Sequence, residues 1–481
     1  MAGADGAARR VDIFAGEGRG AEMTASKPLY FLLARDNGTR VFMTPVDGVM
    51  RIPVYEFGVA EQIGFDNPAP YLYWFEQRYA IPVFRTYMLE SAAADITIMV
   101  LEAACGSDDD APDDAWIPYL AAAAAYPEHS QLRDVLLHLP DHYRSSRVMP
   151  WVETGFRPYL ERLIGFTAET PIRDRDKGTE IEQLKNAYVS SVFRCRADGA
   201  DRYLKISASI FVRELEITKV LREWNMAPLP VWVAADSDSG SVLMEDMGGC
   251  DLPAHADKEQ LAEIVREYAR IQLASIQRIT PQLSYPFRLH RTSQLAELAE
   301  SVSETAALLL GDSPYRLTAE ELEKLAGSMP YWRSMCERIA SSAIPDCLNH
   351  ADLRPGNIRF TDQGILFFDW AWSDISHPFF GLSAFLNVIR RTVSDSDRAY
   401  VRDAYLQQWS RYGTAESLAE LYSLVDETRN LYFAIGDSVW LREIREALKW
   451  RVPPFGSPDA WTLERRQYYY ARVIRKLIRT L

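Results

Sequence analysis

The sequence predicts an α+β fold in two lobes, a small β-rich lobe followed by a larger helical one, with a further small α+β unit ahead of both. Three observations lead there. Paired apolar runs around tight turns cluster between residues 150 and 249, and helical periodicity dominates from 250 onward. One isolated hairpin, 358–361 with 365–368 around Asp362-Gln363-Gly364, interrupts those helices.

The first 27 residues open as MAGADGAARRVDIFAGEGRGAEM, Gly/Ala-rich and charged, without the apolar core of a signal peptide, so they are expected to be disordered. Residues 28–105 make the small α+β unit. Segments 30–35 and 40–44 flank Asp36-Asn37-Gly38, a hairpin signal, and 82–89 and 96–102 are two further apolar runs. No chemical motif is legible there, and a scaffolding, dimerising or substrate-covering role is expected. Residues 106–149 then form an acidic linker, with Asp108-Asp109-Asp110 and Asp113-Asp114, and a helical connection that includes 131–139.

From residue 150 the pattern is strand, strand, helix, strand, strand: 189–196 and 202–206 around Asp198-Gly199, a helix over 208–224, then 231–235 and 241–245. Beyond Gly248-Gly249 the chain is mainly helical, as over 260–278 and 294–310. The lobes are therefore 150–249 and 250–481.

Composition excludes several classes. The 481 residues carry a net charge of −14, which opposes nucleic-acid binding, a process driven by neutralising phosphates. The excess lies before residue 251, since residues 251–481 hold 30 Asp/Glu against 28 Lys/Arg. No apolar run reaches the length of a membrane span. Five scattered cysteines without a C-x-x-C pair fit neither a disulfide framework nor a zinc site, and a reducing cytoplasm is expected.

The chemistry concentrates in Asn349-His350-Ala351-Asp352-Leu353-Arg354-Pro355-Gly356-Asn357 and in Phe367-Phe368-Asp369-Trp370. Equal hairpin arms bring Asn357 and Asp369 side by side at one mouth. A carbonyl oxygen and a carboxylate there suit Mg²⁺, which takes hard oxygen ligands and shares them with phosphates. Asp352, five residues ahead of Asn357, is placed to accept a hydrogen bond from an attacking hydroxyl. Upstream, Lys205 in a strand and Glu214 in the next helix suit the grip on nucleotide phosphates. Glu216, about 160° from Glu214 around the helix, is the other candidate partner. The strand end Met244-Glu245-Asp246-Met247 could offer backbone groups to an adenine edge. The turn 186–191 holds no glycine, so Ser190 and Ser191 would have to cover the phosphates with hydroxyls and amides.

In this order, these residues resemble the aminoglycoside phosphotransferase family of kinase-like enzymes, which includes choline-, homoserine- and fructosamine-kinase-like proteins. The resemblance covers about 150–481 and implies a protein-kinase-like two-lobe fold. It also implies ATP or GTP as donor, Mg²⁺ as cofactor, Asp352 as catalytic carboxylate, and Asn357 with Asp369 as metal ligands. Two departures stand out. The family places an Asp, in Asp-Leu-Ala, shortly after the metal Asp to brace the catalytic loop; this chain has Gly381 there, with Asp374 or His377 as candidate substitutes. Arg354 stands where protein kinases place a lysine near the γ-phosphate, and either stabilises the transferring group or pairs with a surface carboxylate.

The expected function is ATP-dependent phosphoryl transfer to a hydroxyl of a small molecule, an antibiotic or other natural product among the candidates. The competing expectation is a nucleotide-binding regulatory protein without transfer activity. The aromatic-rich C-terminal region, including Trp440, Trp450, Trp461 and Tyr468 to Tyr470, is expected to be core packing rather than an acceptor-stacking surface.

Overall fold

The computed structural model describes residues 28–55, 67–89, 96–104, 112–126, 130–165, 173–174, 179–197, 199–253, 256–280, 283, 285–453 and 455–480. The expected disordered N-terminus and the run Asp108-Asp109-Asp110 lie outside the described residues.

The N-terminal unit is an α+β sheet. Strand Leu29–Arg35 is apolar and buried almost throughout, as expected of a strand with neighbours on both edges. It runs antiparallel to Arg40–Phe42 across the Asp36-Asn37-Gly38 turn and parallel to Thr97–Ala103. A parallel pair needs a crossover, and helix Ala69–Tyr79 lies on it, burying Tyr71, Leu72 and Phe75. Val83–Leu89 and Trp116–Pro118 complete the two edges, while Val54–Tyr55 pairs with the central strand as well.

The second sheet is antiparallel, ordered Trp232–Asp236, Ser241–Glu245, Ala200–Ser207, Ser190–Ala197, Thr179–Asn186 and Arg173–Asp174. Four of these strands are the expected ones. Thr179–Asn186 was not expected, because its sequence, TEIEQLKN, shows one aliphatic position in the inward series. The reason lies in what it faces. Gln183 is buried, accepting from the Arg85 backbone N–H at 2.8 Å and donating to the Arg85 carbonyl at 3.0 Å. A strand that docks polar atoms on another unit's backbone carries no hydrophobic alternation.

That docking continues through Arg85, which is fully buried and donates through Nε to Asn186 Oδ1 at 3.2 Å and through its guanidinium to the Asn186 carbonyl. Beside it, Phe84 meets Phe193 edge-on at 5.1 Å, and Phe156 meets Phe193 at 4.9 Å. The chain's last helix, Pro458–Arg479, joins the same region, where Asp459 accepts from the Arg147 and Val148 backbone N–H groups at 2.9 and 3.1 Å.

Gly248 and Gly249 both hold positive φ at the passage between lobes. A Cβ on Gly249 would stand 1.9 Å from the Phe360 carbonyl oxygen, so the passage packs directly on the hairpin and admits only glycine. The helical lobe follows, with Lys258–Ser275, Ala319–Ala340, Phe379–Ile389, Asp395–Leu406, Ala415–Ala447 and Pro458–Arg479 as its longer helices. The helix expected over 294–310 is split at Ser301 into Leu295–Glu300 and Val302–Leu310. Trp440, Trp461 and Tyr470 are buried, as expected of core packing, whereas Trp450 is exposed. Among the described residues, no helix is long and apolar enough to cross a membrane. The two-lobe, protein-kinase-like arrangement is the observed one.

Candidate active site

Period-two alternation places Lys205 on the sheet face opposite the buried Leu204 and Ile206. Across from it stands helix Arg213–Trp224. Lys205 Nζ lies 2.6 Å from Glu214 Oε2 and 2.9 Å from Asp369 Oδ1. The choice between two helix carboxylates is thereby resolved: Glu214 takes Lys205, and Glu216 pairs with Lys219 at 2.7 Å on the outer side. Burial opposes charge on Lys205, yet the Asp369 and Glu214 carboxylates override it and hold the ammonium above the usual lysine range. Burial likewise pushes Asp369 up, but Lys205, then Lys185, pull its carboxyl below the usual range. Glu214 goes the other way, since burial outweighs the pull of Lys205. Lys185, at the end of the unexpected strand, thus acts on both carboxylates; the sequence offered no pattern that singled it out.

The hairpin forms as Ile358–Thr361 with Gly364–Phe367, in the register Ile358 to Phe367 and Thr361 to Gly364. The second arm starts one residue earlier than expected. Asn357 therefore faces Phe368, whose N–H it accepts at 3.1 Å, and Asp369 is the next residue on. Asp369 takes a left-handed backbone, φ 65° and ψ 57°, a conformation that Asp tolerates better than most residues.

Asn357 Nδ2 donates to the Asp352 carbonyl at 2.9 Å and to Asp352 Oδ2 at 3.1 Å. Arg354 Nε stands 3.3 Å from the same Oδ2. Asp352, Arg354 and Asn357 thus form one cluster, and Lys205, Glu214 and Asp369 form another, joined where Asn357 and Asp369 adjoin on the hairpin. Arg354 pairs with the candidate catalytic carboxylate itself rather than with a distant surface carboxylate.

The brace on the catalytic loop is not Asp374 or His377. Asp374 is occupied by Ser376 Oγ at 2.8 Å, the His290 ring at 2.8 Å, and the Tyr432 hydroxyl. His377 contributes its backbone carbonyl, and burial pushes its ring down to about 3, which keeps it neutral. Tyr268 does the bracing. Its hydroxyl accepts from the His350 backbone N–H at 3.0 Å and donates to Asn349 Oδ1 at 3.1 Å. Gln272 Nε2 also donates to Asn349 Oδ1, at 2.8 Å. A Cβ at Gly381 would stand 2.5 Å from both the Tyr268 hydroxyl and Asn349 Oδ1. The glycine therefore makes room for the tyrosine and asparagine that hold the loop. His350 completes the loop, its Nε2 2.9 Å from the Phe368 carbonyl.

On the nucleotide side, one expectation requires correction and another is narrowed. Ser190 and Ser191 are buried, and the Ser191 hydroxyl accepts from Gln183 Nε2 at 3.0 Å and donates to the Lys185 carbonyl at 3.2 Å. The Ser191 hydroxyl is thus taken up beside Gln183, which docks on the N-terminal unit, and is not offered to phosphates. At the strand end, the Glu245 N–H donates to the Val231 carbonyl at 3.0 Å, and Asp246 Oδ1 accepts from the Gly248 N–H at 2.9 Å. That uses the Glu245 amide and the Asp246 side chain in the turn itself. Met244 and Met247 remain half-buried beside it.

Comparison with known proteins follows the same lines. Residues 180–415 match the model of the phosphotransferase enzyme family, the family that the motif order resembles. No curated protein matches the chain. Among solved structures, the chain is similar to a choline kinase from Cryptosporidium parvum Iowa II, at 13% identity over 67% of this chain and 95% of that one, with a TM-score of 0.41. It is similar to the choline kinase LicA from Streptococcus pneumoniae, at 13% identity over 67% and 99%, also with a TM-score of 0.41. The ADP-bound aminoglycoside phosphotransferase APH(2'')-Ib gives 15% identity over 66% and 98%, with a TM-score of 0.41.

Proposed function

Starting from a chain whose residues 180–415 match the model of the phosphotransferase enzyme family, we propose that it transfers the γ-phosphate of ATP, or of GTP, to a hydroxyl of a small molecule. The observation that carries this reading is the position of Lys205, half-buried between the Glu214 and Asp369 carboxylates that favour its charged form. A lysine so held presents a fixed positive charge to the donor phosphates, and fixed charge costs no reorganisation during reaction.

Asp352 orients the acceptor hydroxyl. As the bond from that oxygen to the γ-phosphorus forms and the bond to the leaving diphosphate breaks, its carboxylate takes the proton late. Arg354 beside it bears on charge accumulating at the transferred group. Positioning and electrostatics account for most of such catalysis, because the transition state is loose.

Asn357 and Asp369 fit a magnesium ion, since both carry hard oxygen atoms and Asn357 spends its amide nitrogen on Asp352, leaving its side-chain carbonyl oxygen to a cation. When bound, the ion would offset charge on the donor phosphates.

The test is Asp352→Asn. ATP affinity by calorimetry should hardly change, because Lys205 and the strand end are untouched. Product formation by mass spectrometry should fall at least about a hundredfold, the usual scale of general-base contributions. Undiminished turnover would remove Asp352 from its role, and nucleotide binding with no turnover in either protein would favour a regulatory function.

A further inference from the structure

Strand Thr179–Asn186 breaks its own alternation. Its inward residues begin as Ile181 and Gln183, both buried, and continue with Asn186, buried as well. Strict alternation from Gln183 would turn Lys185 inward and Asn186 outward. The ladder shows why neither happens. Gln183 pairs with Phe193 and Lys185 with Val192, so two steps along one strand match one step along its partner, and Leu184 is a β-bulge.

The bulge sorts the side chains on either side of it. Gln183 and Asn186 both hold Arg85 of the N-terminal unit, and Phe193, opposite Gln183, meets Phe84 of that unit. Lys185 is left half-buried on the other face. There it shares a row with Lys205, because Lys185 pairs with Val192 and Val192 with Lys205. Residues in one row stand on one face, so the two lysines flank Val192 on the side where Lys205 meets Glu214 and Asp369. Their Cα atoms are two strand spacings, roughly 10 Å, apart. The Lys185 charge is felt at both Glu214 and Asp369, and that of Arg354 at Asp369. Counted as ionised, Lys185, Lys205 and Arg354 balance Glu214, Asp352 and Asp369; without Lys185 the carboxylates would prevail where a polyanion has to enter. The turn that follows, 186–191, has no glycine to bare its amides, and the Ser191 hydroxyl is spent within the sheet.

We propose that Lys185 is a second phosphate-binding lysine, whose ammonium contacts the donor's phosphate chain beside Lys205. It supplies by charge what a glycine-rich turn supplies by backbone amides. The bulge at Leu184 makes this compatible with docking: one short strand gives Gln183 and Asn186 to the N-terminal unit and Lys185 to the cleft. That the phosphates belong to a nucleotide rests on the phosphotransferase reading; that Lys185 faces them rests on the row and the bulge.

The experiment uses the full chain as wild type, Lys185→Gln and Lys185→Arg. Lys219→Gln is the control, since it removes the same charge on the outer side of the helix, where Lys219 pairs with Glu216. Calorimetry in Mg²⁺ compares ATP and GTP, their nucleosides adenosine and guanosine, and inorganic tripolyphosphate. Lys185→Gln should weaken the bound nucleotide and tripolyphosphate by about tenfold or more, the scale of a hydrogen bond to a charged group, and leave the nucleoside unchanged. Lys185→Arg should keep most of the affinity, and Lys219→Gln should alter none of the ligands. Urea unfolding of each variant identifies a lysine that only supports the sheet, which would lower stability and weaken nucleoside and nucleotide alike. That result, undiminished nucleotide affinity in Lys185→Gln, or an equal loss in Lys219→Gln would overturn the assignment. Tripolyphosphate binding that depends on Lys185, with neither nucleotide bound more tightly than tripolyphosphate, would sink the nucleotide-donor reading and leave the phosphate-binding lysine standing. A wild type that binds none of these ligands would defeat both.

Discussion

Single residues carry opposing pressures in this site. Lys205 sits where water is largely excluded, and only two carboxylates keep its charge favourable. Removing it with Lys205→Met should leave Glu214 and Asp369 confronting each other, at about 3 kcal/mol of stability, the scale for breaking a buried pair. The loss should be smaller at pH 5 than at pH 8, because protonation relieves the repulsion; urea titrations at the two pH values measure it. A loss independent of pH would mean that the carboxylates are not the cause. The sequence singles out Lys205, Asp352, Asn357 and Asp369 because phosphoryl transfer demands these side chains at fixed spacings, and the structure gathers them in two adjoining clusters. It does not single out Lys185 and Tyr268, since a lysine at a strand end and a tyrosine on a buried helix face are ordinary in isolation.

Among elements, the catalytic loop owes its shape to helix Lys258–Ser275 rather than to the helix that follows the hairpin. Tyr268 and Gln272 lie four residues apart on its buried face and both reach Asn349. Tyr268→Phe leaves the His350 N–H buried without its acceptor. Stability should fall by about 1–3 kcal/mol, the cost of an unsatisfied buried donor. Turnover should fall more than nucleotide affinity, because the loop carries Asp352 while Lys205 stands on the other lobe. Paired denaturation and calorimetry separate the two effects; equal loss of both would mean general disruption. Here the hydrophobic pattern gave the helix correctly, and only the packing reveals why a glycine stands at 381. The strand Thr179–Asn186 escaped for the opposite reason: its inward face is polar because its partner is backbone.

For the whole molecule, three fully buried histidines, His142, His350 and His377, weigh on the response to acid, each lowered by burial. Burial, aided by His138, lowers His142 to about 4 in the N-terminal unit, and burial alone lowers His377 to about 3 in the helical lobe. Both bind protons more readily unfolded than folded. Their contribution is therefore present above pH 6.5 and is lost as pH falls from there towards 4 and 3. The slope approaches 1.4 kcal/mol per pH unit for each residue once the unfolded form is protonated. Urea midpoints between pH 7 and 5 should decline accordingly, and His377→Asn should flatten part of that decline. A sheet-rich stretch and a mainly helical one were readable from changes of periodicity along the chain. How the N-terminal unit sits was not, because its contact rests on one buried arginine and backbone atoms. That contact has a further consequence. Arg85 grips Asn186, the residue that opens the turn over the proposed nucleotide site. If a nucleotide binds beneath that turn, as proposed, its binding and the seating of the unit share one residue. Linkage makes their influence mutual: whatever free energy the seated unit lends to the nucleotide, the nucleotide returns to the seating. A unit in which the sequence shows no chemical motif would thereby become a term in that affinity.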